Sequence, residues 1–117
     1  MNITIYHNPR CSKSRKTLEI IRENGVEPRV IEYLKDPPDA ATTSRLAALL
    51  GVPVSGLLRR SETEFSEAGD LPSLDDNAAL AGWIEKHPIV LQRPIVVDAD
   101  REQAVIGRPP ERVLELL

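Results

Sequence analysis

Apolar and polar residues alternate over Ile3-Thr4-Ile5-Tyr6, the two-residue period of a short strand with one face buried. After Pro9 the period lengthens. Thr17, Leu18 and Ile21 fall on one face of a helix predicted from Ser12 to about Asn24, and Gly25 provides its stop. Arg29-Val30-Ile31-Glu32-Tyr33-Leu34 returns to strand character. Strand, helix, strand in this order predicts a parallel pair joined by a right-handed crossover.

Pro37-Pro38-Asp39 then opens a helix carrying Leu46, Leu49 and Leu50, closed by Gly51 and Pro53. A short helical turn is expected at Ser55–Arg60, and Ser61–Ser73 reads as polar and irregular. Asp75-Asp76 can cap a further helix to Lys86 that buries Leu80, Trp83 and Ile84. Pro94–Asp98 and Gln103–Ile106 are strands separated by a turn through Asp100-Arg101, hence an antiparallel hairpin. A last helix holds Val113, Leu114 and Leu117. The pattern is α/β: a small mixed four-stranded sheet flanked by helices.

At 117 residues the chain suits one domain, with 41% hydrophobic and 28% charged residues, ordinary for a soluble protein. A net charge of -3 gives no global attraction to nucleic acid or anionic membrane, so any anion site must be local. The start, Met1–Tyr6, lacks the features of a signal peptide, and no apolar run is long enough to cross a bilayer. The single cysteine allows no internal disulfide and no zinc cluster. The expectation is a cytoplasmic protein with a free thiol, no bound metal and no membrane or nucleic-acid partner.

That thiol, Cys11, has no apolar neighbour and stands at the start of the first predicted helix, where unpaired backbone N–H groups favour an anion. Arg10, Lys13, Arg15 and Lys16 add local positive charge. Both effects favour thiolate and hence nucleophilicity. A redox pair would need a second cysteine at position 14, which is Ser14. A phosphatase-type loop would need arginine at position 17, which is Thr17. A cysteine protease would need a histidine base, and neither His7 nor His87 has a recognisable motif around it. A monothiol nucleophile that must use a second thiol from another molecule is left. His7, four residues before Cys11, is either a satisfied loop histidine or a charged neighbour that lowers the thiol pKa.

The run Ile3-Thr4-Ile5-Tyr6-His7-Asn8-Pro9-Arg10-Cys11-Ser12-Lys13-Ser14-Arg15 closely resembles the active-site start of the glutaredoxin-coupled arsenate reductases. Glu32-Tyr33-Leu34 with Pro37-Pro38, Leu57-Leu58-Arg59, His87-Pro88-Ile89, Gln92-Arg93-Pro94-Ile95-Val96-Val97 and Gly107-Arg108-Pro109 extend the resemblance along nearly the whole chain. It implies a thioredoxin-like fold over residues 1–117, with a helical insertion at about 38–88 between the βαβ unit and the hairpin.

The resemblance also implies a reaction. Cys11 would attack arsenate to form a covalent adduct, glutathione would act as co-substrate rather than as a bound cofactor, and glutaredoxin would resolve the product. Arg59, Arg93 and Arg108 map onto the family's oxyanion-binding arginines, with Arg60 the fallback for Arg59. A guanidinium suits this task because its rigid fork of donors matches paired oxyanion oxygens. Ser14 maps onto a residue that hydrogen-bonds the thiolate, with His7 as a further support. In this fold the residue before a cis-proline faces the active cysteine, so a cis Arg93–Pro94 bond is expected. Family members often carry a longer tail than this chain, which stops at Leu117.

Two alternative functions are weighed. A Spx-like transcription regulator usually carries a C-x-x-C switch, which Ser14 breaks. A monothiol, glutathione-dependent thiol transferase fits Cys11 but leaves the three arginines without a task. A monomer is expected, since no large apolar stripe is evident.

Overall fold

β1 (Ile3–His7) takes the strand conformation that its alternation predicts, with Ile3, Ile5 and His7 buried and Thr4 and Tyr6 half-buried. It belongs to a computed structural model that describes residues 1–117. α1 (Ser12–Glu23) follows and buries Ser14, Thr17, Ile20 and Ile21, so Ile20 rather than Leu18 completes the inner face. Gly25, at φ 80°, ends it in the left-handed region open to glycine. β2 (Arg29–Glu32) is two residues shorter than expected. The N–H groups of Lys35 and Asp36 both return to the Glu32 carbonyl, turning Tyr33 and Leu34 out of the ladder.

The chain divides into two compact units, Met1–Asp36 with Arg93–Leu117, and Pro37–Gln92. In the first, β3 (Ile95–Asp98) and β4 (Gln103–Ile106) complete a sheet of order β2-β1-β3-β4. β1 runs parallel to β2 and antiparallel to β3, and β3 runs antiparallel to β4. This is the mixed sheet that the sequence order implies. Every β3 residue is buried, as befits an interior strand.

Ile3 and Ile5 of β1, Ile20 and Ile21 of α1, Val96, Val105, Val113 and Leu116 share one core, with Leu18, Val26 and Leu117 at its margin. Val113 and Leu116 reach it from the expected last helix, a 3₁₀ helix at Pro110–Leu116, in which Leu116 rather than the exposed Leu114 faces inward. Arg101 fastens this helix to the β3–β4 turn: its Nε donates to Asp98 Oδ2 at 2.7 Å and its Nη2 to the Leu116 carbonyl. Asp98 is buried, and the Arg101 hydrogen bond holds its carboxyl below the usual carboxylate range.

In the second unit, Asp39 caps α2 (Ala40–Leu50) by accepting from the Thr42 N–H, and Gly51 at φ 70° closes it. Asp76 caps α4 (Asn77–Lys86) through the Ala79 N–H. Leu80, Trp83 and Ile84 are buried on α4 as expected. A 3₁₀ turn occupies Val54–Leu57, and the otherwise irregular Ser61–Ser73 stretch contains one helical turn, α3 (Thr63–Ser66). Two side chains of α4 and its cap hold that stretch. Trp83 Nε1 donates to Asp70 Oδ1 at 3.0 Å, and His87, stacked on Trp83, lies 3.0 Å from Glu64 Oε1.

Candidate active site

Asn8-Pro9-Arg10-Cys11 forms a tight turn between β1 and α1, closed by the Cys11 N–H donating to the Asn8 carbonyl at 3.0 Å. Asparagine first and proline second are what such a turn favours: the amide side chain bonds nearby backbone and the ring presets φ. Cys11 therefore becomes the residue before α1, in extended conformation at φ -92° and ψ 121°. Its side chain is half-buried.

The Cys11 thiol titrates below its ordinary value. Partial burial pushes it up, but the backbone N–H groups of Ser14 and Lys13 and the charges of Arg108 and Arg93 outweigh that effect. Neither N–H reaches the geometry of a full cap hydrogen bond. Arg108 Nη2 lies 3.8 Å from the sulfur. The same guanidinium donates from Nε to the Arg93 carbonyl at 2.9 Å, which fixes the plane of the fork. Arg93 is buried, and the Arg93–Pro94 bond is cis as expected; Arg108–Pro109 is cis as well, which was not foreseen.

The source of the positive charge corrects one expectation. Arg10, Lys13, Arg15 and Lys16 are all exposed, and none of their charges is among the causes of the shift. Arg15 instead donates to the Pro9 carbonyl at 2.9 Å, and Lys16 pairs with Glu19. Proximity in sequence misleads here, because these four side chains lie in solvent while the Cys11 sulfur lies beside Arg108, just past the end of β4.

His7 corrects another. It is buried at the end of β1, and burial lowers its pKa, with Glu32 opposing and Arg22 and Arg15 assisting. A histidine held below 6.5 is neutral at physiological pH, so it is not a charged neighbour of the thiol. Its Nδ1 is hydrogen-bonded to Ser14 Oγ at 2.7 Å. Ser14, fully buried, also accepts the Asn8 N–H at 3.1 Å. Ser14 thus faces the thiol through its backbone N–H, while its hydroxyl ties His7 to the turn.

Cys11, His7, Ser14, Arg93 and Arg108 belong to the first unit. Arg59 and Arg60 belong to the second, just past the Val54–Leu57 turn. Arg59 is half-buried. Its N–H donates to the Val90 carbonyl at 2.6 Å, and its Nε lies 3.3 Å from Glu62 Oε1. Arg60 is exposed. No group of three or more His, Cys, Asp or Glu side chains is placed to hold a metal ion, and no helix is long and apolar enough to cross a membrane.

Residues 6–116 match the ArsC family. An uncharacterized protein of Escherichia coli K12, YfgD, is 46% identical over 98% of this chain and 96% of its own length. An arsenate reductase of the same organism is 42% identical over 99% of this chain and 81% of its own. Among solved structures, an arsenate reductase from Vibrio cholerae superimposes with a TM-score of 0.91 at 42% identity, covering 100% of this chain and 98% of that one.

Proposed function

This chain belongs to the ArsC family, and from that premise we propose that it reduces arsenate to arsenite with Cys11 as nucleophile. The observation that carries the proposal is the pairing of a thiol of lowered pKa with Arg108 at 3.8 Å, backed by buried Arg93. A thiolate approaching an oxyanion meets like charge. Guanidinium groups already in place offset that repulsion and stabilise charge as it builds on the oxygens. Arg108 meets this need because its Nε is committed to the Arg93 carbonyl, leaving the far edge of the fork for oxygen.

The thiolate forms an S–As bond as one arsenate oxygen takes protons and leaves as water. Glutathione then attacks the Cys11 sulfur. The S–As electron pair passes to arsenic, taking As(V) to As(III), and the two sulfurs end as a mixed disulfide. Glutaredoxin reduces that disulfide and restores Cys11. The single cysteine of the chain supports the need for external thiols. A cytoplasmic setting supplies such thiols in reduced form. Arg59 is proposed as the third oxyanion arginine on the strength of the resemblance, and the protein acts as a monomer without a bound cofactor. A regulator or thiol transferase would give Arg93 and Arg108 no task.

The test is purified protein with arsenate, glutathione, glutaredoxin, glutathione reductase and NADPH. Arsenate-dependent NADPH loss that disappears in Cys11→Ser is expected. Absence of an arsenate-dependent rate, or a rate surviving in that variant, overturns the proposal.

A further inference from the structure

We propose that Asn8 and Tyr33 are positioning residues that hold the Cys11 turn in its reactive geometry. The proposal rests on the nucleophilic role assigned to Cys11 above. Asn8 is buried, yet it contributes four polar groups to this one turn. Its carbonyl accepts the Cys11 N–H at 3.0 Å, and its N–H donates to Ser14 Oγ at 3.1 Å. Its side-chain Oδ1 accepts the Arg10 N–H at 3.0 Å, which leaves Nδ2 to donate to Tyr33 Oη at 3.3 Å.

Tyr33 is completely buried and lies just past β2, 25 residues away in sequence. The turn is therefore tied at three places: to its own backbone, to the first turn of α1, and to the end of the neighbouring parallel strand. Only the last is a long-range anchor. It also accounts for Asn8 better than turn chemistry does. Aspartate would satisfy the Arg10 N–H equally well, but its carboxylate has no hydrogen to send to a buried phenol oxygen.

Loss of the anchor lets the turn shift relative to α1, and the sulfur with it. A displacement of about 1 Å at a reacting centre costs on the order of a hundredfold in rate. Tyr33→Phe, which keeps the ring packed, is expected to lower kcat/KM roughly tenfold, mainly through kcat, and Asn8→Ala roughly a hundredfold. In both variants the midpoint of the thiol alkylation rate against pH moves up, because the sulfur moves off the Ser14 and Lys13 N–H groups and Arg108. Tyr33→Phe made in the Asn8→Ala background costs less than it does alone, since the shared bond is already gone.

The alkylation profile needs no arsenate, so it reads positioning even if arsenate turnover is absent. If Asn8→Ala fails to fold, the conservative Tyr33→Phe still decides the matter. A Tyr33→Phe protein with an unchanged alkylation midpoint and unchanged kcat, or two substitutions whose effects multiply, overturns the proposal.

Discussion

Arg108 Nη2 stands 3.8 Å from the sulfur of Cys11, a pairing between residues 97 positions apart. The thiol borrows its main positive charges from this arginine and from Arg93, not from the basic residues beside it.

Arg108→Ala removes that charge and frees the Arg93 carbonyl. The expected result is a kcat/KM lower by about 10²–10³, the range for loss of one preorganised oxyanion donor. The alkylation midpoint of Cys11, expected below ~8.5 in the wild type, should move up toward that unperturbed value. Arg108→Lys keeps the charge without the fork and should recover the midpoint more than the rate. A single alkylation series against pH and one arsenate titration check all three statements.

Arg59 and Arg60 are separated by their surroundings. Arg59 is half-buried and fastened by the Val90 carbonyl and Glu62, whereas Arg60 is exposed. Arg59→Ala is expected to raise KM for arsenate and lower kcat/KM by about tenfold or more, as for loss of a charged oxyanion donor. Arg60→Ala should stay close to wild type. Steady-state kinetics of the two variants decide which arginine serves, and the reverse ranking would reassign the role.

Burial holds the His7 pKa below 6.5, so the unfolded chain protonates this histidine at higher pH than the folded one. Its contribution to stability is whole above 6.5 and is lost as pH falls through the lower folded value. Urea denaturation at stepped pH should show a decline beginning near 6.5 that His7→Gln removes. Persistence of the decline in the variant would mean that another group causes it.

Gly107 sits where the end of β4 crosses α1 and Pro94. A methyl group there would lie 2.5 Å from Thr17 Oγ1 and 2.8 Å from Pro94 Cγ. Gly107→Ala is expected to cost about 1–3 kcal/mol of stability, the usual range for overpacking. Because Arg108 is the next residue, the alkylation midpoint of Cys11 should rise as well. Chemical denaturation measures the first effect and thiol titration the second.

The elements were legible wherever local chemistry decides them. Gln103–Ile106 is a strand as read, and Asp39 and Asp76 cap the helices they precede; the cis Arg93–Pro94 bond was expected from the resemblance alone. Legibility fails where a distant partner decides. Tyr33 leaves the strand because two N–H groups converge on the Glu32 carbonyl. His7 is neutral because the fold buries it, and no spacing of charges along the chain reveals that. Arg15 reads as a thiol activator until its guanidinium is found on the Pro9 carbonyl. Asn8 carried a local signal, its place before proline at a turn, but its bond to Tyr33 needed the fold.

The separation of Cys11 from Arg108 has a consequence for biosynthesis. Cys11 is made early, together with the Ser14 and Lys13 N–H groups that lower its pKa most, while the charges of Arg108 and Arg93 emerge only after the whole Pro37–Gln92 unit has been synthesised. Until then the nascent thiol lacks both guanidinium charges, and a smaller share of it is thiolate. Full reactivity is reached only when the first unit closes on itself and brings these charges to the sulfur, so the rate at which Cys11 is alkylated serves as a clock for the completion of folding.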